Sequence, residues 1–505
     1  MDRLGNAALP GSPWAFSVFS RIRPSLFEYY SSRKILYLFR KCSKYIPAYS
    51  RFLKGHGVEP SSVGSAIEFD KLVPATTKEN YIKAFSLPER CLNGNLPGNG
   101  IFEESSGTTG APTLWIRSKE EEEYAMELSR ASLIHLFGFR KGEKFIALNC
   151  YMMGGWSGGL RFATCVSSLA SVRNIGQDAQ KTVECIKDLG NEYTYLIGGY
   201  PPFIVDLLDY GKKSDNFSWK DYTIHVFAGG EGFVEEWREF VSSQLRSGAL
   251  IYSDYGAIDL DVGISVETPF SVAVRKITNN DPVIGRKIFS TDRIPCFVGQ
   301  CSPQQFYVRE KANDRGIKEL EITVMNLKSV SPNIKYRIGD EGGIIRFSEM
   351  SKMLEAIDYP VEKIRKDFNI DAVIPFPVLY LFGRSDGTVS VNGALISKDE
   401  VERALLSDYE IVSVIGRFKI SAEPDNENHI RLCIYLEARK GIQISGELSA
   451  RSSDAILSSL LNSNECFRKG YYSNPLTNSP VVKLHQFGTG IFAEKQGALK
   501  NIYSV

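Results

Sequence analysis

The sequence predicts an α/β chain of two domains. The large one, residues 1–382, has parallel-rich sheets joined by helical crossovers, with a further β region. The small one, residues 383–505, is α+β and mobile. Three observations predict this. Between residues 144 and 253 short apolar runs alternate with stretches of helical period. Several of those runs end in glycine-rich clusters, as strand ends facing a ligand do in parallel sheets. A polar, glycine-bracketed segment, Leu381-Phe-Gly-Arg-Ser-Asp-Gly, then separates a different pattern that opens with its own capping box.

A chain of 505 residues has room for two or three domains, and 43% hydrophobic with 24% charged residues is a globular balance. The net charge of +1 gives no case for a nucleic-acid partner or an anionic membrane surface. No apolar run reaches 18 residues, and Pro10, Ser12 and Pro13 break the early apolar residues, so neither a membrane span nor a signal peptide is expected. The nine cysteines form no CxxC pair. They read as reduced thiols, which argues for a cytoplasmic protein and against a zinc site. A monomer and a homodimer both fit this composition.

Residues 1–95 read as a helical N-terminal part. Leu26, Tyr29, Leu36, Leu38 and Phe39 recur at helical spacing, giving two helices that end near Gly55 and form a basic cover for the main domain. Thr77, ahead of Glu79, marks a further helix start.

Residues 103–116 carry the main polar loop. Ser105, Ser106, Thr108 and Thr109 bring four hydroxyls, and Gly107 and Gly110 let backbone N–H groups turn inward. Such a loop can wrap a phosphate; an ordinary polar turn is the alternative. It is not a Walker loop, because Ala111 follows Gly110. Pro112 bars a helix, and Thr113 to Ile116 reads as a strand. Ser118 and Glu121 have capping-box spacing. The acidic run Glu120–Glu123 then falls in the first turn, where each charge gains roughly 0.3–1 kcal/mol from the macrodipole. That run is assigned to helix stability rather than to metal. Tyr124, Leu128, Ala131 and Leu136 carry the helix to Gly138.

A strand over 144–150 enters Tyr151-Met-Met-Gly-Gly-Trp-Ser-Gly-Gly. Gly154 and Gly155 permit close backbone approach, and Met152, Met153 and Trp156 can wall an apolar pocket; a tight strand-to-helix turn explains them equally well. Helices over 183–189, 202–210 and 235–245 then alternate with strands over 193–198, 223–228 and 250–253. Three strand ends stand out: Gly198-Gly-Tyr200, Gly229-Gly230-Glu231, and Asp254-Tyr255-Gly256-Ala-Ile-Asp259. Tyr255 offers a flat face and Gly256 lets a ligand approach it. Asp259 is a hard oxygen ligand for Mg2+, or else a satisfied surface carboxylate; Asp261 is a second acid. Residues 260–350 read as mostly β. Asp340 sits before Glu341-Gly-Gly as a hairpin residue or as an acceptor for a ribose diol. In the small domain Ser397 and Glu400 cap a helix to Leu406, and strands over 411–420 and 430–436 flank the turn at Pro424. Lys495 and Lys500 in the tail would by themselves be solvated.

The order of these motifs resembles that of the adenylate-forming superfamily of acyl-CoA synthetases, adenylation domains and luciferases. Ser105–Thr113 resembles its phosphate loop and Tyr255-Gly-Ala-Ile-Asp its Tyr-Gly-x-x-Glu motif. Tyr336-Arg-Ile-Gly-Asp resembles its Tyr-x-x-Gly-Asp motif, Gly383-Arg-Ser-Asp its hinge, and Gly393-Ala-Leu-Ile-Ser-Lys-Asp-Glu-Val-Glu the opening of its mobile C-terminal domain. Ile46-Pro-Ala-Tyr-Ser-Arg-Phe-Leu and Leu72-Val-Pro-Ala-Thr-Thr-Lys look like phenylacetate–CoA ligase and its relatives.

The resemblance implies ATP-dependent activation of a carboxylic acid, aryl or hydrophobic, to an acyl-adenylate with release of pyrophosphate. Transfer to a thiol, most simply that of CoA, follows. It implies ATP, Mg2+ and CoA as reaction components. Ser105, Ser106, Gly107, Thr108, Thr109 and Gly110 would hold phosphates, Gly229, Gly230, Glu231, Asp254, Tyr255 and Gly256 the adenine, Asp340 and Arg384 the ribose, and Asp259 the metal. Tyr151, Gly154, Gly155, Trp156 and Tyr200 would line the acyl pocket, with the hinge at Asp386. Two departures stand out: Asp259 replaces the usual Glu, and Gly497 is followed by Ala498 where the family has Lys, so that Lys500 or Lys495 takes the catalytic role. A carrier-protein thiol or an amine as acceptor, and a non-catalytic nucleotide-binding homologue, are the competing readings.

Overall fold

The computed structural model describes residues 19–105, 113–139, 144–153, 157–291, 293–314, 316–493 and 503–504. The chain divides into two compact units. The first comprises residues 1–105, 112–199 and 210–383, the second residues 106–111, 200–209 and 384–505.

The first unit is built on an eleven-stranded mixed sheet. In chain order its strands are β3 (Phe145–Asn149), β4 (Ser171–Asn174), β5 (Thr194–Gly199), β6 (Thr223–Ala228), β7 (Ile251–Ala257), β8 (Asp261–Val266), β9 (Phe297–Gln300), β10 (Phe306–Ala312), β11 (Lys318–Val324), β12 (Tyr336–Ile345) and β13 (Val378–Arg384). Their spatial order is β10-β11-β12-β13-β9-β8-β7-β6-β5-β3-β4. From β4 to β7 all neighbours are parallel, and from β7 through β8 to β9 they are antiparallel. The parallel part follows from the sequence rhythm. β3 is buried along its whole length, as a strand covered on both faces must be. Helices Ser157–Val166, Ala179–Leu189 and Glu235–Gln244 lie between its strands in the chain. Outside this sheet, β1 (Gly100–Ser105) and β2 (Thr113–Ser118) pair as an antiparallel hairpin. The N-terminal helices Pro24–Tyr45 and Pro47–Gly55 bury Ile35, Leu38, Phe39, Tyr49 and Phe52 in one core with Leu320, Ile322 and Tyr336.

In the second unit β14 (Val389–Val391) and β15 (Ala394–Ile396) pair as a short antiparallel hairpin, and β16 (Ile415–Pro424), β17 (Ile430–Ala438), β18 (Val481–His485) and β19 (Tyr503–Ser504) form a four-stranded sheet of order β18-β17-β16-β19. Helices Lys398–Leu406, Gly446–Ser463 and Glu465–Ser473 belong to it. Ser397 and Glu400 make the complete capping box: Ser397 Oγ accepts from the Glu400 amide at 3.3 Å and Glu400 Oε2 from the Ser397 amide at 2.8 Å.

Four local expectations change. Residues 260–350 are not mostly β, because helices Pro269–Asn280 and Pro282–Phe289 lie within them. Each opens with a capping residue before a proline, Thr268 and Asp281, a start signal that outweighs the β-branched residues that follow. The strand expected from 411 begins at Ile415, since Asp408 caps the amides of Glu410 and Ile411 and winds Tyr409–Val414 into a helix. Thr77 opens only a short π-helical turn, Lys78–Ile82. Ser118 caps Glu121, but the Glu121 carboxylate turns to Ser329 Oγ and the Val330 amide instead of closing a box. All nine cysteines are free thiols. Among the described residues no helix is long and apolar enough to cross a membrane.

Candidate nucleotide and acyl site

The hairpin β1–β2 sets the stem of the polar loop, with Ser105 opposite Thr113. Ser106, Gly107, Thr108, Thr109 and Gly110 lie outside the described residues. Ser105 does not: it is buried, and its Oγ accepts a hydrogen bond from Lys78 Nζ at 3.3 Å. Lys78 was not foreseen as a site residue. Thr76 pairs with Tyr336 as a parallel bridge, and the Arg337 amide donates to the Thr76 carbonyl at 2.9 Å. These bonds tie the N-terminal part, expected only as a cover, to β12, and Lys78 follows two residues later. The stretch Leu72–Lys78 was the available signal.

Asp259 is 8% exposed, so it is a buried carboxylate and not one on the surface. Its Oδ2 accepts from the Tyr336 hydroxyl at 2.8 Å and its main-chain carbonyl from the Asn333 amide group. Among the described residues it makes no ion pair. A buried carboxylate with one oxygen held by a hydroxyl is a hard oxygen ligand of the kind that could hold a divalent cation such as Mg2+. Asp340 lies within β12, not in a hairpin turn, and its Oδ2 accepts from the Tyr255 hydroxyl at 2.6 Å. Tyr255 is thereby fixed at its phenolic end. The Asp261 side chain lies outside the described residues.

The ends of β3, β5 and β6 are locked side by side. The Cys150 amide donates to the Gly198 carbonyl at 2.8 Å and the Gly229 amide to the Gly199 carbonyl at 3.3 Å. Tyr151 is buried, and its hydroxyl donates to the Phe227 carbonyl at 2.8 Å. A Cβ on Gly229 would stand 2.7 Å from Asp254 Oδ1 and 3.1 Å from the Tyr151 hydroxyl, so only glycine fits this approach. Gly198 is pressed just as closely, by the ring of Phe162 at 2.5 Å. Gly230 and Glu231 continue from Gly229 towards helix Glu235–Gln244, and Gly256 is exposed on β7. Burial pushes the Asp254 carboxyl up to about 7, with the negative charge of Glu267 adding to the effect. Gly154, Gly155 and Trp156 lie outside the described residues. Tyr200 precedes helix Pro201–Lys212, its carbonyl accepting from the Ile204 amide at 3.0 Å, and it is counted with the second unit.

In the second unit Arg384 donates to Asp386 Oδ2 at 3.0 Å, and the Thr388 amide donates to Oδ1 at 2.9 Å. Burial opposes the Asp386 charge, but the guanidinium and these hydrogen bonds outweigh it and hold the carboxyl below its ordinary value. Lys495 and Lys500 lie outside the described residues.

The chain has the fold of the adenylate-forming enzymes. Solved structures of 2-hydroxyisobutyryl-CoA ligase share it. The one in complex with 2-HIB-AMP and CoA in the thioesterification state superposes with a TM-score of 0.62 at 14% identity, covering 95% of this chain and 89% of that one. An open conformation with the same two molecules gives 0.53 at 14% identity, over 93% and 89% of the two chains. The postadenylation state with R3-HIB-AMP gives 0.51 at 13%, over 90% and 84%. No protein-family model and no curated protein matches the sequence.

Proposed function

We propose that the chain activates a carboxylic acid with ATP and passes the acyl group to a thiol, that of CoA, as an acid–thiol ligase of the phenylacetate–CoA ligase kind. The observation that carries the reading lies in the first unit. Arg117, on the stem of the polar loop, donates to the carbonyl of Ile258 at 2.8 Å, joining that stem to the residue before Asp259. Ser105, the hydroxyl residue at the end of that stem, and a carboxylate for a cation are thus built on one frame within the first unit. Solved structures that share the fold hold an acyl-AMP and CoA.

In the first half-reaction a carboxylate oxygen of the acid attacks the α-phosphorus. A P–O bond forms, and the bond from the α-phosphorus to the α,β-bridging oxygen breaks with pyrophosphate leaving. In the second, a thiolate sulfur attacks the acyl carbon and AMP leaves. Positioning and charge neutralisation carry most of such a reaction. Ser105–Thr109 and Lys78 would hold the β- and γ-phosphates. Asp259 would hold Mg2+, which neutralises charge on the phosphate oxygens when bound. Tyr255 would stack on adenine beside the Gly229–Gly230 backbone, and Asp340 would accept from the ribose hydroxyls. Tyr151 and its neighbours favour an aryl or hydrophobic acid. In the second unit Arg384 and a tail lysine, Lys500 or Lys495, supply positive charge, and rotation about Asp386 separates the two half-reactions.

Incubation with ATP, Mg2+ and a panel of aryl and aliphatic acids, with and without CoA, tests this. Acyl-CoA and AMP in equal amounts are expected. AMP release that needs an amine or a carrier protein in place of CoA would move the acceptor, and no AMP with any acid would sink the reading.

A further inference from the structure

We propose that the outward face of helix Pro24–Tyr45 is a docking surface for an anionic lipid bilayer. None of the site residues named above lies on this helix, so the surface is separate from the ligase chemistry. The face is a stripe of six exposed side chains, Leu26, Tyr29, Arg33, Tyr37, Arg40 and Lys44. At 3.6 residues per turn they fall within about 80° of the helix circumference and run about 27 Å along it. The opposite side is anchored, with Phe27, Ile35, Leu38, Phe39 and Cys42 buried. The helix is therefore held in one orientation, with the stripe facing solvent from end to end.

Charge and residue type set this stripe apart from an ordinary solvated face. The helix carries five bases and one acid. Two of the bases turn inward: Lys34 Nζ donates to the Gln304 carbonyl at 2.9 Å and Lys41 Nζ to the Leu327 carbonyl at 2.6 Å. The other three, Arg33, Arg40 and Lys44, all stand on the stripe, and among the described residues none of them makes an ion pair. The one acid, Glu28, sits about 140° round the helix from Arg33 and does not share the face. Arg21 and Arg23, exposed just before the helix, add to the same excess. The balanced net charge of the whole chain, +1, conceals it. Between these cations Tyr37 is 60% exposed, Tyr29 55% and Leu26 44%. Tyrosine, with an apolar body and a polar tip, settles at headgroup depth in a bilayer, and cations beside it meet anionic headgroups. Shape also favours a plane. A helix packed down along its whole length cannot enter a DNA major groove about 12 Å wide, whereas a straight stripe meets a flat surface along all of its length at once.

Sedimentation of the full chain with large vesicles tests this. One set is phosphatidylcholine alone and the other an equal mixture with phosphatidylserine, each at about 0.05 M and about 0.5 M salt. Wild type should sediment with the mixed vesicles at low salt, lose most of that binding at high salt, and stay in solution with the neutral ones. Each cation near an anionic surface is worth about fivefold in partitioning, so Arg33→Gln, Arg40→Gln and Lys44→Gln together should weaken binding about a hundredfold. Glutamine is a good helix former at exposed positions, so the melting temperature should hold. Should the triple variant not fold, Arg33→Gln alone is measured, with about a fivefold loss expected. Tyr29→Gln with Tyr37→Gln should weaken binding and leave its salt dependence in place. Lys213→Gln, Lys220→Gln and Lys440→Gln together remove as many exposed charges from outside the helix and should bind as wild type does. No binding to the mixed vesicles at low salt, equal binding to both kinds, or the same loss from the two triple variants would overturn the proposal. Retention of poly(U) RNA without vesicle binding would overturn it in favour of a nucleic-acid surface.

Discussion

The charges buried around Arg117 and those buried beneath β7 differ in balance and in what they hold. Beneath β7, Glu235 and Glu267 face Arg238 and Arg275, two acids against two bases, all less than 5% exposed. Arg238 lies 2.6 Å from Glu267 and 3.0 Å from Glu235, and Arg275 lies 3.2 Å and 3.1 Å from the same two acids. The remaining bonds reach the main chain: Arg238 to the Ile251 carbonyl, Arg275 to the Phe233 carbonyl, and Glu267 to the Ser253 amide. Burial opposes the Arg238 charge, yet Glu267 and Glu235 more than compensate and raise its pKa. Around Arg117, among the described residues, the ion pairs join the three acids Glu103, Glu121 and Glu122 to the two bases Arg117 and Arg161, and burial raises the carboxyl of Glu122 despite Arg161 and Arg117. The balanced cluster is a fastener between strand and helix. The unbalanced one leaves a surplus acid, and one of its guanidiniums is spent on the segment that carries Asp259.

If that contrast is right, the largest effect of any single change should come from the balanced cluster. Glu267→Gln would leave two buried guanidiniums short of charge and should cost about 3–5 kcal/mol in urea unfolding. Glu122→Gln removes the surplus acid while Arg161 keeps Glu103, and should cost no more than about 1.5–3 kcal/mol by the same measurement. Equal costs would erase the distinction. Packing should give an intermediate effect: Gly198→Ala drives a methyl into the Phe162 ring and should cost about 1–3 kcal/mol, partly restored by adding Phe162→Leu.

The smallest effect expected is a pH dependence. Asp254 has its folded pKa raised to about 7, above the ordinary carboxyl value. A raised pKa gives stability that is present below the unfolded value and lost as pH rises through about 7. Asp254→Asn should thus raise the melting temperature by roughly 2–4 °C at pH 8 and hardly at all below pH 4. A gain independent of pH would show that burial of the charge is not the cause.

What was legible in the sequence was local. Strand β6 was bounded as expected at Thr223 and Ala228, and the Ser397–Glu400 box was visible because its partners stand three residues apart. The parallel core followed from the alternation of strands and helices. The helices at Pro269 and Pro282 fell within a stretch read as mostly β; the signals for them are the capping residues Thr268 and Asp281, each directly before a proline. The acidic run after Ser118 was assigned to helix stability in the first turn; Glu121 and Glu122 are also drawn into the buried cluster. The motif positions Asp259, Tyr255, Tyr336 and Asp340 were singled out, but not the pairing of Tyr255 with Asp340 or of Tyr336 with Asp259. Asp259 meets Tyr336 across 77 residues and Arg117 meets Ile258 across 141, and such pairings arise only when the sheet assembles.

The central claim is acid activation at the expense of ATP, and carboxylate-dependent ATP–pyrophosphate exchange tests it most directly. Wild type should exchange label with one class of acid, and Asp259→Asn should lose about a hundredfold of that rate, the scale on which removing one electrostatic group slows a reaction. Exchange that is absent with every acid while ATP still binds, or that is unchanged in Asp259→Asn, would contradict the account.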